Sequence, residues 1–368
     1  MPDTNPLRDI IANQIRSSGP ISLAAYMRFC LTHPKYGYYT TADPLGADGD
    51  FITAPEVSQM FGELIGLWVA NCWQMMGRPS RFDLVELGPG RGTLLEDACR
   101  VFTRVDGLLP AMRLKLIESN EKLKSAQRQR LLQYNPDWGT EITDLDKSDA
   151  PLIVIANEFF DALPIRQYQK HQGKWHERAI GLRDDAFGWG LAPTPLPETA
   201  VPSAIKDAAE GEVWEAGLLA LDTMGELAGR IAKRGGAMLA IDYGYARTQT
   251  GETFQAVENH AYADPLANPG KADLTAHVDF EALAQAATLA GADALPLTTQ
   301  SAFLKAQGID ERAEALAAAN PSLADSIRTA HERLTGDKQM GTLFKVLCVA
   351  QKGLAPYPFD TSSPANAA

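Results

Sequence analysis

Apolar residues recur at helical spacing from Pro6 to Arg16 and from Ser22 to Leu31, which predicts two amphipathic helices. Ser22 stands where its hydroxyl can cap the second. His33-Pro34 ends that helix, because the residue before a proline disfavours the α region. An aromatic patch, Tyr36-Gly37-Tyr38-Tyr39, and a Gly/Asp-rich loop from Thr40 to Ala54 come next. Pro55 to Met76 then reads as one longer helix.

From Arg81 the rhythm changes to alternating strands and helices. Strands are expected at Phe82 to Leu87, Met112 to Glu118, Glu141 to Leu145 and Leu152 to Ala156, with helices at Thr93 to Thr103 and Glu121 to Gln133. The run Leu-Ile-Val-Ile-Ala at 152–156 has no polar face, as expected of a strand covered on both sides in a parallel sheet. The alternation then pauses. Gln167 to Leu191 reads as hairpin strands with Gln172-Gly173 at a turn. Pro193, Pro195, Pro197 and Pro202 make the next stretch a loop. A helix is expected from Glu212 to Lys233 and a strand from Ala237 to Asp242. Gly244 to Ala276 is polar with little periodicity, longer than most connections. Helices return from Asp279 to Ala290 and from Ser301 to Leu334, and Leu343 to Ala350 closes the pattern as a strand.

Strand, glycine loop and helix together form a nucleotide-site geometry at Glu86-Leu87-Gly88-Pro89-Gly90-Arg91-Gly92. Glycines let backbone approach a ligand closely, and the helix N-terminus adds favourable partial charge. The spacing is Gly-x-Gly-x-Gly. A dinucleotide fingerprint needs its third glycine at position 93, where Thr93 stands, and no Gly-Lys-Ser/Thr comes after to make a P-loop. Glu86, two residues before Gly88, would repel a pyrophosphate but suits the ammonium of a methionine moiety. Glu118 ends the next strand, where a carboxylate can accept hydrogen bonds from both ribose hydroxyls. Asp144 is placed either to reach an adenine amine or to be a solvated turn residue. The expected cofactor is therefore S-adenosyl-L-methionine, held by Glu86, Gly88, Gly90, Gly92 and Glu118.

Asn157-Glu158-Phe159-Phe160-Asp161-Ala162-Leu163-Pro164 succeeds the buried strand, and ligands sit at the carboxyl ends of strands in an open α/β sheet. Asn157, Glu158 and Asp161 can orient a cationic nitrogen nucleophile and accept its proton; the alternative is that Glu158 and Asp161 only cap the following turn. Gly49 to Ser58 is either a lid that brings Asp50 or Thr53 to the cofactor or an N-capping loop. His277 is a candidate base or a structural histidine.

Composition narrows the partners. The net charge is −12 with no Lys/Arg cluster, so a nucleic acid is not expected. No apolar run approaches the length of a membrane span. Cys30, Cys72, Cys99 and Cys348 are dispersed and form no Cys-x-x-Cys pair, so no metal site is expected. Four free thiols, with no secretory or Arg-rich leader pattern, give a cytoplasmic expectation.

The chain resembles the MidA-like family of class I methyltransferases. The resemblance is carried by His33-Pro34-x-Tyr36-Gly37-Tyr38-Tyr39, Gly49-Asp50-Phe51 through Phe61-Gly62-Glu63, Glu86 to Gly92, Asn157-Glu158 with Asp161-Ala162-Leu163-Pro164, Asp242-Tyr243-Gly244, and Ala272 to Phe280. It implies an α/β fold: a class I methyltransferase Rossmann-like sheet with a helical N-terminal region and an inserted and C-terminal helical substrate region. The expected division is 1–80 helical region and lid, 81–165, 203–250 and 340–353 methyltransferase core, 166–202 hairpin insertion, 251–339 substrate side, and 354–368 disordered tail. The resemblance further implies methyl transfer to a protein arginine, because mitochondrial members of the family are protein arginine methyltransferases that assist assembly of respiratory complex I. The expected partner is then a protein substrate such as a complex I (NADH dehydrogenase) subunit, with a homodimer allowed. The rival readings are a non-catalytic cofactor-binding assembly chaperone, a small-molecule methyltransferase, and a dinucleotide oxidoreductase, which the glycine spacing and Glu86 disfavour.

Overall fold

The computed structural model describes residues 5–41 and 53–360. The chain passes back and forth between two compact units, one comprising Ile52–Phe160, Asp222–Ala246 and Phe280–Ala368, the other Met1–Phe51, Asp161–Leu221 and Arg247–Asp279.

The first unit is built on a sheet of β1 (Phe82–Leu87), β2 (Met112–Ile117), β3 (Asp137–Gly139), β4 (Leu152–Asn157), β5 (Gly236–Tyr245), β6 (Asp293–Ala294) and β7 (Phe344–Ala350). Their order across the sheet is β3-β2-β1-β4-β5-β7-β6. β3 through β5 run parallel, and β7 runs antiparallel to β5 from Ala237↔Ala350 to Tyr243↔Phe344. The central place of β4 explains its unbroken apolar run, since it is buried along its whole length. The chain leaves β1 toward β2 and β3, then returns to start β4 on the other side of β1. That reversal opens a crevice at the carboxyl ends of β1 and β4.

Helix α1 (Gln59–Met75) belongs to this unit rather than to a separate N-terminal region, because Phe61, Leu64, Ile65, Trp68, Val69 and Cys72 are buried in its core. It packs on α2 (Thr93–Phe102) through Gly62 and Gly66. A Cβ on Gly66 would lie 2.8 Å from the Ala98 Cα. Gly66→Val should therefore force the two helices apart and cost about 1–3 kcal/mol, read as a lower denaturant midpoint with an unchanged slope.

Several expected elements differ. The helix drawn from Pro55 to Met76 is broken at Ser58, which is extended and whose hydroxyl accepts from the Met60 N–H at 3.2 Å. No strand forms at Glu141 to Leu145. Asp144 caps a 3-10 turn there (Ile142–Lys147), since a short acidic side chain competes with sheet bonding, and the third strand is Asp137–Gly139 instead. The Ser301 to Leu334 helix is three pieces, Gln300–Ala306, Ile309–Ala319 and Ala324–Thr335, divided at left-handed Gly308 and at Asn320-Pro321. These pieces also fall in the first unit. The expected disordered tail begins too early: Leu354 and Phe359 are buried, and the Phe359 ring stacks on Phe303 at 6.0 Å. Residues 361–368 lie outside the described residues.

In the second unit, Arg166–His171, Lys174–Arg183 and Ala186–Pro195 form the expected antiparallel hairpins. Val213–Ala216 joins them as a strand, not as the start of a helix, because Trp214 pairs across to Tyr168 and stacks on its ring at 5.3 Å. The helix starts at Leu218. The stretch without periodicity contains a small sheet of Gln255–Glu258, Ala261–Ala263 and Asp273–Thr275, whose Ala256 and Leu274 join a hydrophobic core.

Candidate cofactor site

The segments that succeed β1 and β4 line the crevice. Gly88, Gly90 and Gly92 have φ of +57°, +54° and +81°, so the loop needs glycine at each. A Cβ on Gly88 would come 3.2 Å from the Phe159 ring, so the residues after β4 close on the loop. The loop is tied to β2 by the Gly88 N–H, which donates to the Ile117 carbonyl at 3.0 Å, and Gly92 leads into α2.

Glu86 is 3% exposed on the penultimate residue of β1, and its Oε2 has no hydrogen-bond partner among the described residues. Burial pushes its carboxyl up to about 8. A carboxyl left so costs free energy unless a ligand completes it. Glu118, at the end of β2, is also buried, which raises its pKa against the opposing effect of hydrogen bonds from Asn120 and Gln127. Its Oε1 accepts from the Asn120 N–H at 2.7 Å. Asn120 in turn caps α3 (Glu121–Leu131).

Glu158 sits at the end of β4 with φ of +49°, a conformation that favours glycine. Its Oε1 accepts from the Ala54 N–H at 3.0 Å and from Asn157 Nδ2 at 3.1 Å. Asn157 is buried, and its Oδ1 has no hydrogen-bond partner among the described residues. The register places the pair beside the glycine loop, since Leu87 lies across from Ala156. Asp242, within β5, accepts from the Phe159 and Phe160 N–H groups at 3.2 and 3.0 Å and so holds the turn after Glu158. Glu56 accepts from the Thr93 hydroxyl at 2.7 Å, which ties the segment after Thr53 to the start of α2.

The structure does not use all the expected residues in this way. Asp144 has its carboxylate committed to the Thr140 and Glu141 N–H groups and to Lys147, which lower its pKa. These bonds place Asp144 in a turn. Thr53 begins the helix Ala54–Val57 without a side-chain cap bond. Asp50 lies outside the described residues. Asp161 and His277 belong to the second unit. There the Asp161 carbonyl accepts from the Ala276 N–H at 3.1 Å, and the His277 N–H donates to the Thr253 hydroxyl at 2.9 Å. Tyr39 donates to Asp273 Oδ1 at 2.8 Å in the same unit, and burial together with Asp273 and Asp161 pushes its phenol well above the usual range. Sequence reasoning missed Gln127, Trp138 and Asp242 as site-shaping residues. Asp242 was within a matched motif, whereas Gln127 lies in a mostly polar helix that gave no sign of burying it.

Glu86, the glycine loop and Glu118 therefore offer one ammonium partner, one close backbone approach and one diol acceptor, which fits S-adenosylmethionine. The family described as "Putative S-adenosyl-L-methionine-dependent methyltransferase" matches residues 64–298. The chain belongs to it. Similar proteins include protein arginine methyltransferase NDUFAF7, mitochondrial, from Danio rerio, at 38% identity over 92% of this chain and 85% of that protein. The Homo sapiens protein of the same name is 36% identical over 93% and 83%. The fold is similar to the crystal structure of a Burkholderia thailandensis protein bound to S-adenosyl-homocysteine, with a TM-score of 0.83 and 28% identity over 94% of this chain and 92% of that one. This chain is a methyltransferase that uses S-adenosylmethionine. The cytoplasmic expectation is corrected by these relatives: proteins so similar along most of their length are named mitochondrial, and dispersed thiols do not assign a compartment.

Proposed function

We propose that the chain methylates arginine in a protein, with Glu158 and Asn157 receiving the guanidinium. The observation that carries this reading is the acceptor-rich end of β4. The buried Asn157 Oδ1 and the Glu158 carboxylate stand together at the switch-point crevice, and a guanidinium offers only donors. Bound S-adenosylmethionine supplies an electrophilic methyl group. Glu158 and Asn157 orient the attacking nitrogen, and Glu158 takes the proton that nitrogen must lose. Glu86 holds the ammonium, Glu118 the ribose, and Gly88, Gly90 and Gly92 allow close approach of the backbone. The names of the curated relatives support arginine as the acceptor. A respiratory complex I subunit is the substrate that the family resemblance implies.

Three experiments test this. Mass spectrometry of extracts with and without the gene should show an arginine methylation that depends on it. Labelled cofactor that marks only small molecules, or nothing, would remove the protein-arginine assignment. For the cofactor site, Gly90→Val places a branched residue at a φ of +54°. Calorimetric titration with S-adenosyl-homocysteine should show affinity about 10- to 100-fold weaker, and unchanged affinity would sink the site assignment.

A further inference from the structure

Gln127 is fully buried on α3, and its side chain meets three parts of the site. Its Nε2 donates to the Gly90 carbonyl at 2.7 Å and to Glu118 Oε2 at 3.3 Å. Its Oε1 accepts from Trp138 Nε1, on β3, at 2.9 Å. The orientation of this amide is not free. An indole N–H can only donate, so the amide oxygen must face Trp138 and both amide hydrogens must face the loop and the carboxylate. The helix itself lies against the loop, since a Cβ on Gly92 would meet Leu131 Cδ1 at 3.2 Å and Gln127 Cα at 3.6 Å. Arg128 stacks on the outer partner of the chain, with its guanidinium 4.9 Å from the centre of the Trp138 ring.

We propose that Gln127 is a positioning residue that sets the glycine loop and Glu118 in register for the cofactor, with Trp138 fixing which way its amide points. The proposal rests on the cofactor site assigned above. One amide spans the gap between the loop that approaches the cofactor and the carboxylate that accepts from the ribose. Gln127 and the Asn120 N–H take different oxygens of Glu118, and the Ser119 N–H adds a further hydrogen bond, so the carboxylate is held from several sides. Without Gln127 the Gly90 carbonyl loses its side-chain donor, and Glu118 can swing away from the loop. The residue touches no reacting atom, so its effect falls on cofactor affinity and not on the transfer step.

Gln127→Met keeps the shape and removes both donors. Trp138→Phe keeps Gln127 but releases its amide. S-adenosyl-homocysteine affinity should fall about tenfold in Gln127→Met and about threefold in Trp138→Phe. The double variant should be no weaker than Gln127→Met alone, because the two act through one chain. With S-adenosylmethionine and cell-extract protein as acceptor, KM for the cofactor should rise about tenfold while the rate at saturation stays within about twofold. Affinity within twofold of wild type in Gln127→Met, additive effects in the double variant, or a loss confined to the saturated rate would each overturn the proposal. If Gln127→Met does not fold, an unchanged affinity in Trp138→Phe overturns it alone. Gly90→Val, measured alongside, separates the two readings. If it binds as wild type the site assignment fails, and if it alone weakens binding only the role of Gln127 fails.

Discussion

Glu158→Gln is expected to keep cofactor binding and lose methyl transfer by about 10²- to 10⁴-fold, the range a positioned proton acceptor contributes. The substitution is nearly isosteric. An amide oxygen can still accept from the Ala54 N–H and from Asn157, so the left-handed turn at the end of β4 should survive. What changes is that one oxygen becomes a donor, which suits a guanidinium, itself all donors, less well than a carboxylate does. Calorimetry with S-adenosyl-homocysteine should give an affinity within about twofold of wild type, while arginine methylation read by mass spectrometry disappears. A fully active variant would take Glu158 off the list of catalytic residues. A variant that loses the cofactor as well would move it to the binding site.

The second large effect is expected at Glu86 and depends on pH. Its carboxyl is pushed up to about 8 by burial, so in the free protein it is mostly protonated at neutral pH. An arriving ammonium favours the carboxylate, so binding must expel a proton. Apparent affinity should then rise about tenfold per pH unit from 6 toward 8. Above that it should fall again as the ligand's own amino group, with a pKa of roughly 8, loses its charge. Titrations in two buffers of different ionisation enthalpy should detect close to one proton released per ligand at pH 6.5. The same shift governs the free fold. The folded pKa lies above the unfolded one, so the protonated group stabilises the protein at low pH. That contribution is lost as pH rises through about 8. Glu86→Gln should remove both behaviours. Ligand affinity should be flat between pH 6 and 8 and about 100-fold weaker than wild type at pH 8, where the free protein should melt no lower than wild type. An unaltered pH profile in that variant would contradict a Glu86–ammonium pair.

Much of the proposed site was legible in the chain because its parts are local. A glycine that must adopt positive φ cannot be hidden in a sequence, and the spacing of Gly88, Gly90 and Gly92 is enough to disfavour a dinucleotide. Glu86 and Glu118 were legible for a related reason: strand ends can be read from apolar runs, and parallel strands bring their carboxyl ends to one edge of the sheet. The errors fell where short polar side chains bond to nearby backbone. Ser58 and Asp144 each diverted the chain from the element their neighbours favoured. Val213–Ala216 went wrong for a different reason, because its pairing partner, Arg166 to Gln169, lies far back in the chain and no local pattern announces it.

By itself, then, the sequence determined the glycine loop, the two acidic strand ends and the parallel core, all of which arise from backbone sterics and two short periodicities. Tertiary structure alone decided what those groups experience. It left the Glu86 Oε2 and the Asn157 Oδ1 buried with no hydrogen-bond partner among the described residues, and it spent the Asp144 carboxylate on a local cap. It also drew a glutamine from a polar helix against the glycine loop. The physical reason is that a pKa, a strained φ and an unmet hydrogen bond are properties of surroundings, assembled from residues far apart in the chain.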